Sequence, residues 1–127
     1  MRTRTCVIII NYNSSAYTAA CIESLRSSVL PVEIVLVDNT PNDPALAAIS
    51  SNFSDVKIIY STENIGFGRA NNLGIYWAIE NTQCEFFYAL NNDTTIDSHA
   101  VEALEMAMDS HPEAGIITSR IAFAEKP

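Results

Sequence analysis

The chain has 127 residues, 48% hydrophobic and 17% charged, a balance that suits one folded domain spanning residues 1–127 and excludes intrinsic disorder. Its formal charge of -8 leaves no basic footprint for a phosphate backbone, so nucleic acid is excluded as an expected partner. No stretch approaches the ~18 apolar residues of a membrane helix, so no transmembrane segment is expected.

The opening MRTRTCVIIINYN carries an apolar run too short for a secretory leader, and it reads as a buried strand over 6–11. Cys6, Cys21 and Cys84 are odd in number, widely spaced and without a CxxC pair. That usage predicts reduced packing thiols in a cytoplasmic chain. Ser14 or Ser15 can cap a helix to about Ser28, with Tyr17, Cys21, Ile22 and Leu25 at helical spacing on its inner face. A second apolar strand, 32–39, ends in Asp38 and Asn39, and TPNDP turns the chain into a short helix over 45–51.

VKIIYS, 56–61, gives a third strand, and a helix follows ENIGFG over about 69–81 with Ala70, Leu73, Trp77 and Ala78 inward. EFFYALN, 85–91, is the fourth strand, with Phe86, Phe87 and Tyr88 as packing aromatics. Ser98 can cap a last helix to about Ser110, and GIITSRIAF, 115–123, is a fifth extended segment.

Strands alternating with helices imply right-handed βαβ units, hence an α/β fold: a Rossmann-like open, mostly parallel sheet with helices on both faces. Ligands of such sheets sit beyond the carboxyl ends of the strands, where strand order reverses. Polar residues collect there: Asn11, Tyr12 and Asn13 after strand one, Asp38 and Asn39 after strand two, Asn64 after strand three, and Asn91, Asn92 and Asp93 after strand four. Asn and Asp favour turns by bonding local backbone, so one such cluster carries little weight, whereas four at successive strand ends carry more. Asp43 and Asp97 read as turn and cap residues, and His99 and His111 as surface side chains.

GxGxxG is absent after strand one, as is a Walker A lysine motif, which disfavours NAD, FAD and P-loop chemistry. A phosphate-accepting receiver domain would need an aspartate where strand three ends in Tyr60 and Ser61. Amides and carboxylates that can read a base and ribose remain, with Asp93 able to hold a hard cation against substrate phosphates. A nucleoside diphosphate suits that inventory.

IIINYNS, IVLVDN, ENIGFGRANNLGI and ALNNDTTID, in this order over nearly the whole chain, resemble the nucleotide-sugar-binding half of family 2 glycosyltransferases with the GT-A fold, most of all the rhamnosyltransferase-like members. The resemblance implies that Asn11, Tyr12 and Asn13 line the nucleotide pocket, and that Asp38, with Asn39 beside it, recognises the base. It implies that Asn64, Gly66, Phe67, Arg69, Ala70 and Asn72 close over base and diphosphate. Asn91, Asn92 and Asp93 correspond to the DxD motif, in which Asp93 holds Mg2+ or Mn2+, with Asn91 in place of the first acid.

The implied partners are a UDP- or dTDP-sugar donor and a glycan acceptor such as a surface polysaccharide, joined with inversion, in the bacterial cytoplasm or peripheral at the inner membrane. No acid here matches the family's catalytic base, so the base and the acceptor site are expected beyond Pro127, in a chain truncated before its acceptor-binding part. A non-catalytic sugar-nucleotide-binding module that needs a partner chain is the alternative. A pyrophosphorylase would need a Gly- and Arg-rich loop where NYNSSAY stands. Apolar surface left uncovered by an absent acceptor part would favour self-association.

Overall fold

A computed structural model describes residues 1–40 and 42–123. Strands β1 (Thr5–Asn11), β2 (Val32–Asp38), β3 (Lys57–Tyr60) and β4 (Phe86–Asn91) alternate with helices α1 (Ser15–Arg26), α2 (Leu46–Asn52), α3 (Phe67–Asn81) and α4 (Ala100–Ser110). The strands form one parallel sheet in the order β3-β2-β1-β4. The two central strands are near-continuous apolar runs because both of their faces are covered. Side-chain alternation sends Val7 and Ile9 toward Cys21, Ile22 and Leu25 of α1 and Leu46 and Ile49 of α2, and sends Cys6, Ile8 and Ile10 toward Ala70 and Ala78 of α3. Chain order runs outward from β1 through β2 to β3 and then returns to β4 on the other side, so the order reverses between β1 and β4.

Two helices sit differently from the periodicity reading. Tyr17, expected inward, is 63% exposed, and Thr18 takes the buried place on α1. Leu73 on α3 is also left at the surface, 38% exposed, while Gly74 is buried. A Cβ at Gly74 would lie 2.6 Å from Ile8 Cγ2 and 3.2 Å from Val37 Cγ2, so only glycine lets α3 settle this closely on the sheet. An apolar count misses both positions because the residue that faces inward is polar in one helix and lacks a side chain in the other.

Ser98 is not the cap of α4. The helix starts at Ala100 after His99, whose N–H is held by Asp97 Oδ1 at 2.8 Å. The fifth segment, 115–123, pairs with no strand among the described residues. Gly115, Ile116 and Ile117 help line a cavity of about 250 Å3 beside β4 and α4, and Tyr88 Oη lies 3.4 Å from Ser119 Oγ. Its β-branched residues have propensity, but a strand exists only against a partner, and among the described residues none pairs with it.

At the amino end of the sheet Arg4 reaches Asp109 at 2.7 Å and Glu85 at 3.1 Å. Those carboxylates raise its pKa, and Arg4 in turn lowers that of Asp109. Among the described residues no helix is long and apolar enough to cross a membrane.

Candidate functional site at the carboxyl rim of the sheet

The parallel register brings the last residues of β1 and β2 level, with Asn11 opposite Asp38, while Ile10 stands opposite Asn91 on β4. The rim is thus built at the point where strand order reverses, the usual ligand crevice of such sheets. Asn11 is wholly buried and Asp38 only 2% exposed. A buried amide and carboxylate need partners, and each finds them in the other elements of the rim.

Asn11 Nδ2 donates to Asp38 Oδ1 at 3.1 Å and to Asp43 Oδ2 at 3.3 Å, while its Oδ1 accepts the Thr18 hydroxyl at 2.9 Å. The backbone N–H of Thr40 adds a second donor to Asp38 Oδ1 at 3.2 Å. Asp38 Oδ2 accepts no hydrogen bond among the described residues. One oxygen of a nearly buried carboxylate is therefore fixed in place, and the other has no protein donor among the described residues.

Asp43, expected to be a turn residue alone, does hold the Ala45 N–H at 3.0 Å, but it also joins this network. It accepts the Ser15 hydroxyl at 2.8 Å as well as the Asn11 amide, and these donors lower its pKa, the Ser15 bond contributing most.

A second tie closes the mouth of the site. Asn39 Nδ2 donates to Asn64 Oδ1 at 2.9 Å, and Asn39 Oδ1 accepts the Ile65 N–H at 2.9 Å. Asn64 Oδ1 also takes the Gly66 N–H at 2.9 Å. Gly66, at φ 84°, is in the left-handed region, which lets the chain turn directly into α3. Phe67, Arg69 and Asn72 follow on the exposed surface of α3, and Arg69 and Asn72 bond to none of the other rim side chains among the described residues. Tyr12 is 51% exposed beside the rim, and Asn13, at φ 51°, donates its N–H to Thr40 Oγ1 at 2.7 Å.

The turn after β4 is moored to α1. Ser14, the N-terminal cap residue, makes no capping bond with its side chain, and its hydroxyl accepts from Asn92 Nδ2 instead. The same Asn92 amide donates to Thr18 Oγ1 at 3.1 Å, the Cys21 thiol lies 3.8 Å from the Asn91 carbonyl, and Ser24 Oγ accepts the Ile96 N–H at 3.1 Å. Residues 14, 18, 21 and 24 fall on one stripe of the helix, so α1 holds the turn along its length. Asp93 is exposed at the tip of that turn with no protein partner among the described residues.

Asn11, Asp38, Asn39, Asn64 and Asn92 are thus drawn into one connected rim. Thr18, Asp43, Ser14, Ser15 and Thr40 were missed. A signal for Thr18 was present, since positions 18, 21, 22 and 25 make an i, i+3, i+4, i+7 stripe with one hydroxyl in an otherwise apolar set.

The parallel α/β sheet with a polar rim at its switch point matches the GT-A glycosyltransferase architecture. The chain belongs to glycosyl transferase family 2, whose family model matches residues 6–127. Among solved structures it is similar to Staphylococcus aureus TarS (residues 1–349) in complex with UDP-GlcNAc, at 23% identity and a TM-score of 0.72 over 87% of this chain and 32% of that one. The TarS complex with UDP aligns at 22% identity and a TM-score of 0.71, over 87% and 33%. A mannosyltransferase from Pyrobaculum calidifontis, in complex with GDP-Man and Mn2+, aligns at 20% identity and a TM-score of 0.65, over 80% and 31%. At these identities the likeness shows the fold, and the chain spans about a third of the length of these structures. No curated protein sequence matches it.

Proposed function

We propose that this chain is the donor-binding part of a metal-dependent, inverting glycosyltransferase that moves a sugar from a UDP- or dTDP-activated donor to a glycan acceptor. The observation that carries the reading is Asp38: a nearly buried carboxylate whose Oδ1 is tied by Asn11 and Thr40 while Oδ2 remains open. Such an oxygen suits the N3–H of uracil or thymine, because a buried acceptor gains most from a charge-assisted bond. Asn11 holds the carboxylate in orientation, and Asn39 and Asn64 place the start of α3, where free backbone N–H groups favour the diphosphate.

The residues fit a divalent cation of the Mg2+ or Mn2+ kind. Among the described residues no group of three or more His, Cys, Asp or Glu could form an all-protein cage. A single exposed Asp93 at the mouth, with Asn91 beside it, matches the sparse protein ligation that Mg2+ accepts when substrate phosphates complete its shell. When bound, that ion would neutralise charge on the departing diphosphate. The mannosyltransferase complex that contains Mn2+ supports this assignment by likeness of fold.

Calorimetric titration with UDP, dTDP and GDP, with and without Mn2+, tests the reading in the intact chain and in Asp93→Ala and Asp38→Ala variants. Pyrimidine nucleotide binding that needs Mn2+ and Asp93 is the expected result. A preference for GDP would move the base assignment to a purine, and heat from no nucleotide under any condition would remove the donor-site reading.

A further inference from the structure

Three bonds run in one sense through the interior of the rim. Asn92 Nδ2 donates to Thr18 Oγ1 at 3.1 Å, the Thr18 hydroxyl donates to Asn11 Oδ1 at 2.9 Å, and Asn11 Nδ2 donates to Asp38 Oδ1 at 3.1 Å. Thr18 and Asn11 are wholly buried, and Asp38 is nearly so. Ser14, Cys21 and Ser24 also moor the β4 turn to α1, but among the described residues Thr18 is the side chain that joins this turn to the Asn11–Asp38 pair: its oxygen accepts from Asn92 while its proton is given to Asn11.

We propose that Thr18 is a positioning residue that couples the base-reading carboxylate Asp38 to the turn carrying Asp93. The inference rests on the donor-site reading above and adds to it a physical link between the two ends of the site. Donors aligned head to tail polarise one another, and in a buried setting an unmade bond is costly, so the members of such a chain shift together. A ligand donor arriving at Asp38 Oδ2 draws charge from the carboxylate and weakens its pull on the Asn11 amide. Asn11 then accepts less strongly from Thr18, and the hydroxyl in turn accepts less strongly from Asn92. Since Asn92 directly precedes Asp93, the adjustment ends at the metal-facing turn.

The direct link between metal and diphosphate is avoided by a nucleoside probe, which has no phosphate for a cation to bridge. Uridine, thymidine and guanosine are titrated in turn into the 15N-labelled chain, and amide resonances are followed at Asp38, Asn39, Asp93 and Thr94. In the wild-type chain both groups move with one binding curve. Thr18→Val keeps the shape and removes the hydroxyl, so the Asp38 and Asn39 shifts persist while those of Asp93 and Thr94 are lost. Thr18→Ser restores them. Asn92→Ala cuts the same chain at its half-buried end and gives the same loss without stranding a buried amide, which covers a Thr18→Val chain that fails to fold. Nucleoside shifts at Asp38 with none at Asp93 in the wild type, or unchanged Asp93 shifts in a folded Thr18→Val chain, overturn the coupling alone. No shift at Asp38 with any nucleoside overturns the donor-site reading and the coupling with it.

Discussion

Asn39 is clasped to Asn64 at the end of β2, and both ends of the Asn39 amide are in use: Nδ2 donates to Asn64 Oδ1 at 2.9 Å, and Oδ1 holds the Ile65 N–H at 2.9 Å. The clasp is the side-chain bridge from the sheet rim to the loop that launches α3. Asn39→Ala leaves the Ile65 N–H without its acceptor and the Asn64 Oδ1 with only the Gly66 N–H. Loss of about 1–3 kcal/mol is expected from urea unfolding, together with weaker nucleotide binding. An unchanged midpoint would show that water replaces the clasp at no cost.

Gly74 and Gly68 should respond to alanine in opposite directions although both lie in α3. Alanine at 74 would push into Ile8 and Val37, and overpacking of this kind costs about 1–3 kcal/mol against a helix-propensity gain of roughly 1 kcal/mol. Nothing lies within 4 Å of a Cβ at Gly68, so alanine there should be neutral or raise stability by up to roughly 1 kcal/mol. Thermal melts of the two variants decide it, and equal shifts would refute the packing argument.

Asp43 ties stability to pH. Its folded-state pKa is lowered by Ser15, Ala45 and Asn11, so folding favours the ionised form. That contribution is complete above the unfolded carboxylate value of about 3.9 and is lost as pH falls through the lower folded value. Urea midpoints from pH 7 down to the acid limit, about pH 2, should therefore decline less steeply in Asp43→Asn than in the wild type. Parallel profiles would assign the acid sensitivity to other carboxylates, such as Asp109 beside Arg4.

Burial pushes the Cys6 and Cys21 thiols up to about 12, with Cys84 and Glu33 adding for Cys6 and Asp93 for Cys21. Cys84 is only half-buried, and its pKa is raised less. A thiol reagent at mildly alkaline pH should label Cys84 first in the native chain and all three thiols in urea, since the thiolate is the reactive form. Rapid native labelling of Cys21 would mean that the turn it touches opens readily.

The sequence read well where physics is local. Apolar runs at 6–11 and 32–39 mark buried parallel strands, and the strand-helix alternation leads directly to a sheet with polar strand ends on one rim. It read poorly where a residue's role depends on what arrives from elsewhere. Thr18 shows in the sequence only as the one hydroxyl on a buried helical stripe, and its role appears when Asn92, far along the chain, is brought against it. Asp43 looks like a turn residue because its bond to Ala45 is local, while its bonds to Asn11 and Ser15 are not. Segment 115–123 carries strand composition without a strand, because pairing is a property of two segments.

The level register of Asn11 with Asp38 has a consequence for which length changes the chain can tolerate. A single residue inserted in β2 would carry Asp38 one rung past Asn11 and turn alternate side chains to the wrong face, so the rim and the core would fail together. An insertion in the loop between α1 and β2, at the opposite end of the sheet, would leave the rungs aligned and the rim bonds untouched. The chemistry at the rim is therefore guarded by the counting of residues along the strands, and added length is expected to be tolerated best in the loops at the far end of the sheet.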